Sequence, residues 1–533
     1  MPLTGWSYCA AELFCGPRPV RRLRHFQVRL AVFTLAGLAP LELSRLRLPG
    51  ALALPRHILV PLIVSCSLLM QNLDSTALVT ALPLIAESLS ETPLRLHMAI
   101  TAYMLAFAAF LPLSGWVADK YGARQIFRLS MLIFTVSSIM CGYAQTYEQL
   151  ILFRIIQGFG GAMMVPVGRL ILVRSVPKAE LVNAMIIMGL PSFIGPVLGP
   201  VVGGFIATFA SWRWIFWMNV PVGILGIFLV TVFIEDVRET SVKPFDWIGF
   251  AMLSFGLGAA VFGLDAVMTR HATDALSLLL LPAGAMSLAL YVFHARRSDK
   301  PILDLSLLRI ASFRISITTG SIFRIGIGAN PFLLPMMMQV GFGYSPFHSG
   351  LITCVSSIGA FFMRTVAKKL LTFFGFRNVL IWNGMIAGLF LAACGLFRPD
   401  TSKAIMLAVI FMGGVFRSLQ FTSLNAVAYA DLDQSQMSHA TSFQQMSQRL
   451  SMSVGIAVAA TILHVASGSS TTVPVSAFAW AFAIIGLGST ISSFWFARLP
   501  LDAGAEMSGR KKDIPSTISG RDQGTAKEST RRD

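Results

Sequence analysis

The sequence predicts an all-α, polytopic membrane protein. Apolar residues (AVILMFWYC) make up 55% of the 533 residues and charged ones only 13%. Mean hydropathy is +0.70, and apolar runs of bilayer-crossing length recur along the chain with basic residues in alternate loops. The net charge of +17 would suit a nucleic-acid binder, but its placement excludes one. Arg18, Arg21, Arg22, Arg24, Arg29, Arg45, Arg47 and Arg56 precede the first span, and Arg510, Lys511, Lys512, Arg531 and Arg532 lie in the tail. Such a distribution carries topology and suits a surface touching anionic lipid, so the expected partner is the bilayer rather than nucleic acid.

A spanning helix needs about 20 apolar residues. Walking the chain gives expected spans at 58–82, 96–117, 127–145, 149–173, 182–208, 214–234, 246–266 and 275–294. Six more follow at 312–336, 347–366, 376–397, 404–428, 440–465 and 475–497, fourteen in all. Lys120, Arg124, Arg128, Arg174, Lys178, Arg238, Lys243, Arg296, Arg297, Lys300, Lys368, Lys369 and Arg377 fall in alternate loops. The positive-inside rule then places both termini in the cytoplasm, as an even count requires. Polar connectors at 234–247 and 294–304 set off a central pair of spans. The expected organisation is a six-span half at 56–236, an inserted pair at 237–300 and a second six-span half at 301–500. Residues 1–55 read as a disordered basic arm or a mis-assigned start rather than a signal, and 501–533 as a disordered tail. Cys66, Cys141, Cys354 and Cys394 lie in spans and Cys9 and Cys15 in the leader, without disulfide or metal spacing, so no metal or cofactor is expected.

Few charges sit inside the spans. Asp74 is the only one in 58–85, on a face shared with Ser67 and Gln71 at i, i+4, i+7 spacing. A buried carboxylate needs a partner. On the fourth span, "LILFRIIQGFGGA" aligns Arg154, Gln157, Gly158 and Gly161, pairing a cation with glycines that let helices approach. Asp74 lies roughly 13 Å and Arg154 roughly 8 Å from the same membrane face at 1.5 Å per residue. Arg154 is therefore the expected partner, as a proton-coupling pair or a plain interhelix ion pair. The fifth span repeats Gly195, Gly199 and Gly203 between Pro196 and Pro200, spacing for close packing, a hinge or a seal. In the second half Ser321, Arg324 and Gly328 share a face, and Arg417 and Arg449 lie within apolar segments. A stripe of Thr441, Gln444, Gln445, Gln448 and Ser451 suits a cavity wall. Gln71, Gln157, Arg324, Gln445, Gln448 and Arg449 are the expected cavity residues.

These stretches carry a resemblance to the major facilitator superfamily. "GWVADKYGARQIF" (Gly115–Phe127) resembles its signature loop, "LILFRIIQGFGGA" its fourth-span motif and "GPVLGPVVGG" (Gly195–Gly204) its drug:proton antiporter motif. "LDSTALVTALP" (Leu73–Pro83) and "WRWIFWMNVPVG" (Trp212–Gly223) are similar to motifs of the fourteen-span EmrB/QacA-like branch. "RLSMSVGIAV", from Arg449, resembles MdtD-type multidrug exporters. The resemblance covers about Arg56 to Pro500. It implies the major facilitator fold and a monomeric, proton-driven exporter in the cell membrane. It also assigns a gating role to Gly115, Asp119, Gly122 and Arg124, proton coupling to Arg154, and the antiporter motif to Gly195, Pro196, Gly199, Pro200, Gly203 and Gly204. Thr80 and Gln125 depart from the family pattern, where Asn and a second cation are common.

Multidrug efflux is the expected function. The excess of buried arginines keeps organic anions as an alternative, because Arg grips carboxylates bidentately. A membrane enzyme would need a catalytic constellation, and the sequence holds no GxSxG, Walker loop or metal cluster.

Overall fold

Among the described residues, seventeen α-helices, joined in places by short 3₁₀ or π turns, make up the computed structural model, and no strand occurs. Residues 55–177, 180–235, 244–269, 275–298, 301–433, 436–468, 473–500 and 504 are described. The expected leader (bar Pro55) and the expected tail (bar Gly504) lie outside them.

The first half contains α1 (Arg56–Ser88), α2 (His97–Phe110), α3 (Leu113–Tyr121), α4 (Ala123–Tyr143), α5 (Tyr147–Ser175), α6 (Leu181–Phe209), α7 (Trp214–Trp217) and α8 (Asn219–Phe233). The central pair is α9 (Trp247–Thr269) and α10 (Ala275–Arg297). The second half contains α11 (Ala311–Met336), α12 (Pro346–Phe374), α13 (Phe376–Asn378), α14 (Gly384–Ala393), α15 (Lys403–Val427), α16 (Met437–Ser467) and α17 (Val475–Ser493).

Local signals fix several helix ends. Thr146 caps α5 by accepting from the Gln149 N–H at 3.3 Å, and Ser345 caps α12 by accepting from the His348 N–H at 3.3 Å, with Pro346 at the first turn. Gly122, after α3, has φ of 97°, and Gly375, after α12, has φ of 76°. Both conformations favour a residue without Cβ. They occupy corresponding places, after the second span of each half.

The packing repeats as well. α1 lies on α6 as α11 lies on α16, α2 on α5 as α12 on α15, and α4 on α8 as α14 on α17. The halves meet through two matching seams, α6 with α12 and α2 with α16. The central pair packs on itself, and α9 reaches α2 and α16.

Among the described residues, twelve helices are long and apolar enough to cross a membrane, or 13 if the bent pair α2–α3 counts as one span. That pair, expected as one straight span at 96–117, bends by 56° at Leu111–Pro112, where proline removes a backbone donor. The expected span at 312–336, the ninth in order, is α11, which has 26 residues but is not among those helices. Arg314, Arg324 and a run of Ser, Thr and Gly lower its hydropathy, so the count of fourteen is not confirmed by apolarity.

Candidate functional site

Asp74 and Arg154 meet as the depths suggested. Arg154 Nη1 stands 2.5 Å from Asp74 Oδ2, and both side chains are 0% exposed. The same guanidinium donates from Nη1 to Gln157 Oε1 at 2.5 Å and from Nε to the Ala99 carbonyl at 3.0 Å, and it lies 4.4 Å above the Tyr103 ring. Gln157 Nε2 donates to Asp74 Oδ1 at 3.0 Å and to Ser138 Oγ at 2.7 Å. Asn219 Nδ2 donates to Asp74 Oδ1 at 3.2 Å and to Ser138 Oγ at 3.2 Å. One carboxylate thus accepts from three side chains on two helices, α5 and α8, with α4 holding the amides in register.

The glycines of α5 make this proximity possible. A Cβ on Gly158 would lie 2.6 Å from the Tyr103 carbonyl, and one on Gly160 would lie 2.9 Å from the Phe134 nitrogen. Close contact of α5 with α2 and α4 brings Ala99 and Ser138 within reach. A buried ion pair of this kind is costly to break from one side, because the remaining charge has no solvent.

A separate cavity of about 740 Å³ lies between the halves. Gln71, Asn72 and Ser75 of α1 border it, whereas Asp74 does not. The second half contributes Asn425, Gln445, Gln448 and Arg449. Gln71 Nε2 donates to the Gly161 carbonyl at 2.7 Å, and Arg449 lies 4.6 Å over the Phe107 ring. Four arginines line the cavity, Arg169, Arg364, Arg417 and Arg449, and its lining includes no Asp or Glu.

Two expected cavity residues lie elsewhere. Gln157 is fully buried in the Asp74 cluster. Arg324 is also fully buried and does not line the cavity. It donates from Nη1 to the Ser316 carbonyl at 3.0 Å and from Nη2 to Asn425 Oδ1 at 3.3 Å. Helical side chains point back toward the N-terminus, and Gly320, one turn earlier, has no Cβ to block the guanidinium. Arg324 therefore lies along its own helix behind the wall, touching the cavity residue Asn425.

The glycine motif of α6 serves two contacts. Cβ atoms on Gly195, Gly199 and Gly203 would stand 2.4 Å from Asn72 Cβ, 1.8 Å from Thr76 Oγ1 and 2.4 Å from the Ala77 carbonyl, so this stripe holds α1. The neighbouring stripe, Pro196, Pro200 and Gly204, meets α12. Ser357 Oγ donates to the Pro196 carbonyl at 2.7 Å. A Cβ on Gly204 would lie 2.3 Å from the Pro346 carbonyl, and one on Gly350 would lie 2.1 Å from the Pro200 carbonyl. Beside this seam Gln339 Nε2 also donates to the Thr80 carbonyl at 3.0 Å.

In the signature loop, Asp119 pairs with Arg174 of α5 at 3.0 Å, and Arg124 Nη2 donates to the Thr231 carbonyl near the end of α8. Both contacts stay within the first half. A Cβ on Gly115 would meet nothing within 4 Å, so packing does not require glycine there. Because Asp119 and Arg174 are 37% and 18% exposed, Asp119→Asn should cost at most about 1 kcal/mol of stability in a thermal unfolding assay.

Sequence reasoning missed Ser138, Asn219, Arg169 and Arg364. Asn219 left a usable signal as the lone amide in "WRWIFWMNVPVG". Ser138 left none, since serine is common within membrane helices.

Two repeated helix blocks around a central cavity, with an ionisable pair beside it, define a secondary membrane transporter. The chain belongs to the Major Facilitator Superfamily, whose family model matches residues 64–455. A relative from Enterobacter sp. named "Putative multidrug resistance protein MdtD" is 35% identical over 459 residues, covering 84% of this chain and 96% of its own. A relative of the same name from Escherichia coli is 37% identical over 452 residues, covering 83% and 94%. Among solved structures, a D-xylose-proton symporter superposes with a TM-score of 0.60 at 12% identity, covering 84% of this chain and 98% of its own. That last likeness concerns the fold alone.

Proposed function

We propose that this protein is a proton-driven exporter of small molecules, with multidrug efflux as its activity. The observation that carries the reading is the Asp74–Arg154 pair, fully buried and turned away from a cavity large enough for a drug-sized molecule. Protonation of Asp74 would free Arg154 and bias the two halves, 56–236 and 301–500, toward the alternative arrangement, with 237–300 as an accessory pair. Gln71, Gln445, Gln448 and Arg449 would contact substrate. Asp119 and Arg124 would hold the signature-loop end, and the α6 glycines the opposite seal. The basic loops favour a cell-membrane orientation with both termini cytoplasmic, and the relatives' name favours drugs as cargo. Purified protein in proteoliposomes should move a cationic dye when a pH gradient is imposed and stop with a protonophore. Dye flux at the same rate without a gradient would remove the antiport reading.

Organic anions are the second reading, favoured by four cavity arginines without an acidic counterpart. The same vesicles loaded with a labelled carboxylate would test it. Carboxylate flux in vesicles that move no dye would replace drugs by anions.

Asn219→Ala removes one donor from Asp74 without touching the cavity. Hydrogen bonds to charged groups contribute about 1.5–3 kcal/mol, so maximal proton-driven flux should fall by about tenfold or more while half-saturation stays unchanged. A rise in half-saturation with unchanged maximal flux would place Asn219 with the substrate instead.

A further inference from the structure

Arg417 stands about 21 Å from the start of α15 at 1.5 Å per residue, in the middle of a spanning helix. Its guanidinium donates from Nη2 to Ser356 Oγ at 2.8 Å, a neutral partner. The contact is built by close backbone approach. A Cβ on Gly414, one turn before Arg417, would lie 2.0 Å from the Ser356 carbonyl, so only glycine lets α15 settle on α12 here. A guanidinium at this depth without an anion is expensive.

Arg417 borders two spaces. One is the central cavity. The other is a side pocket within the second half, of about 30 Å³, room for about two water-sized groups. Arg417, Ser356, Asn330, Ile327 and Leu334 belong to both linings and form the junction between them. Phe323, Phe390, Leu391 and Ile410 make the walls of the side pocket apolar, and no Asp or Glu lines it. The dimensions suit the two oxygens of one carboxylate, which a guanidinium can bind bidentately. A compact ammonium would meet a like charge. Outside the junction the central cavity offers Met104, Phe107, Phe332, Phe421 and Met452 to an apolar body.

We propose that Arg417 and Ser356 form a carboxylate subsite in a side branch of the central cavity, selecting monocarboxylates with an apolar body. The proposal rests on the central cavity being the substrate site and gives its anion reading a specific head-group anchor.

The test uses the full chain in nanodiscs and three probes with one body and different heads: phenylbutyrate, phenylbutylamine and phenylbutanol. Wild type should bind phenylbutyrate most tightly. Arg417→Gln should weaken phenylbutyrate about tenfold or more, as expected for a charge-assisted bidentate contact, and leave the amine and alcohol nearly unchanged. Arg417→Lys should recover part of the affinity, and Ser356→Ala should weaken phenylbutyrate alone, which keeps the test usable if the glutamine variant does not fold. Absent phenylbutyrate binding, unchanged affinity in Arg417→Gln, or equal loss for all three probes would overturn the subsite. Gradient-driven dye transport measured on the same preparation separates the two readings. Failed transport with Arg417-dependent binding intact removes export alone, and the reverse removes the subsite alone.

Discussion

Asp74→Asn should reach the membrane as folded protein and lose proton-driven transport to background. The asparagine keeps the shape and an acceptor for Gln157 and Asn219, but Arg154 then sits fully buried without its counterion. Breaking a buried pair from one side costs about 3–5 kcal/mol, so the unfolding midpoint should also fall. The companion variant separates structure from coupling. Asp74→Asn combined with Arg154→Gln removes both charges and should regain most of the lost stability, since contacting residues are not additive. It should regain no proton-driven flux. Wild-type flux in the double variant would make the pair a structural fastener and nothing more.

The second large effect is expected at the seam between α6 and α12. Gly204→Val places a branched side chain where even a Cβ would be 2.3 Å from the Pro346 carbonyl. Overpacking costs about 1–3 kcal/mol, and here the strain falls on the seam proposed above as the seal of this face. A shift of that size changes the ratio of the two states about 5- to 150-fold. A single cysteine introduced at Thr353 of α12, which lines the central cavity and is only 9% exposed, reports the opening. Its labelling by an impermeant maleimide should rise in Gly204→Val, and transport should fall. Gly350→Val should behave alike, because its Cβ would lie 2.1 Å from the Pro200 carbonyl. Unchanged labelling in both variants would mean that this seam does not close the face.

Much of this arrangement was readable from residue spacing. Gln71 and Asp74 share a helical face, and both do meet α5, at Gly161 and at Arg154 with Gln157. Opposite charge and a glycine-faced helix singled out Arg154 for Asp74, and depth agreed, because rise per residue is nearly constant in a helix. The bend at Pro112 was less legible, since hydropathy carries no direction. Arg324 misled for a different reason. Its position within a polar face suggested an open wall, but a glycine one turn earlier redirected the guanidinium along the helix. Ser138 and Asn219 depend on which helices adjoin, which spacing within one helix does not encode. The arginines of the cavity share that limit, for Arg169 and Arg364 read singly as ordinary cations near the ends of spans.

On α1, Asn72 and Ser75 look into the cavity and Asp74 looks into the α5–α8 cluster, with Gln71 between them, bordering the cavity and bonded to α5. With cargo in the cavity and the proton on Asp74, as proposed above, the two would occupy two sides of one shaft and not contend for the same space. If this shaft is the link between them, the machine is geared rather than competitive. A cargo of either charge, or none, could turn the same gear at the same proton cost, and breadth of cargo would follow from the mechanics instead of from a permissive binding surface.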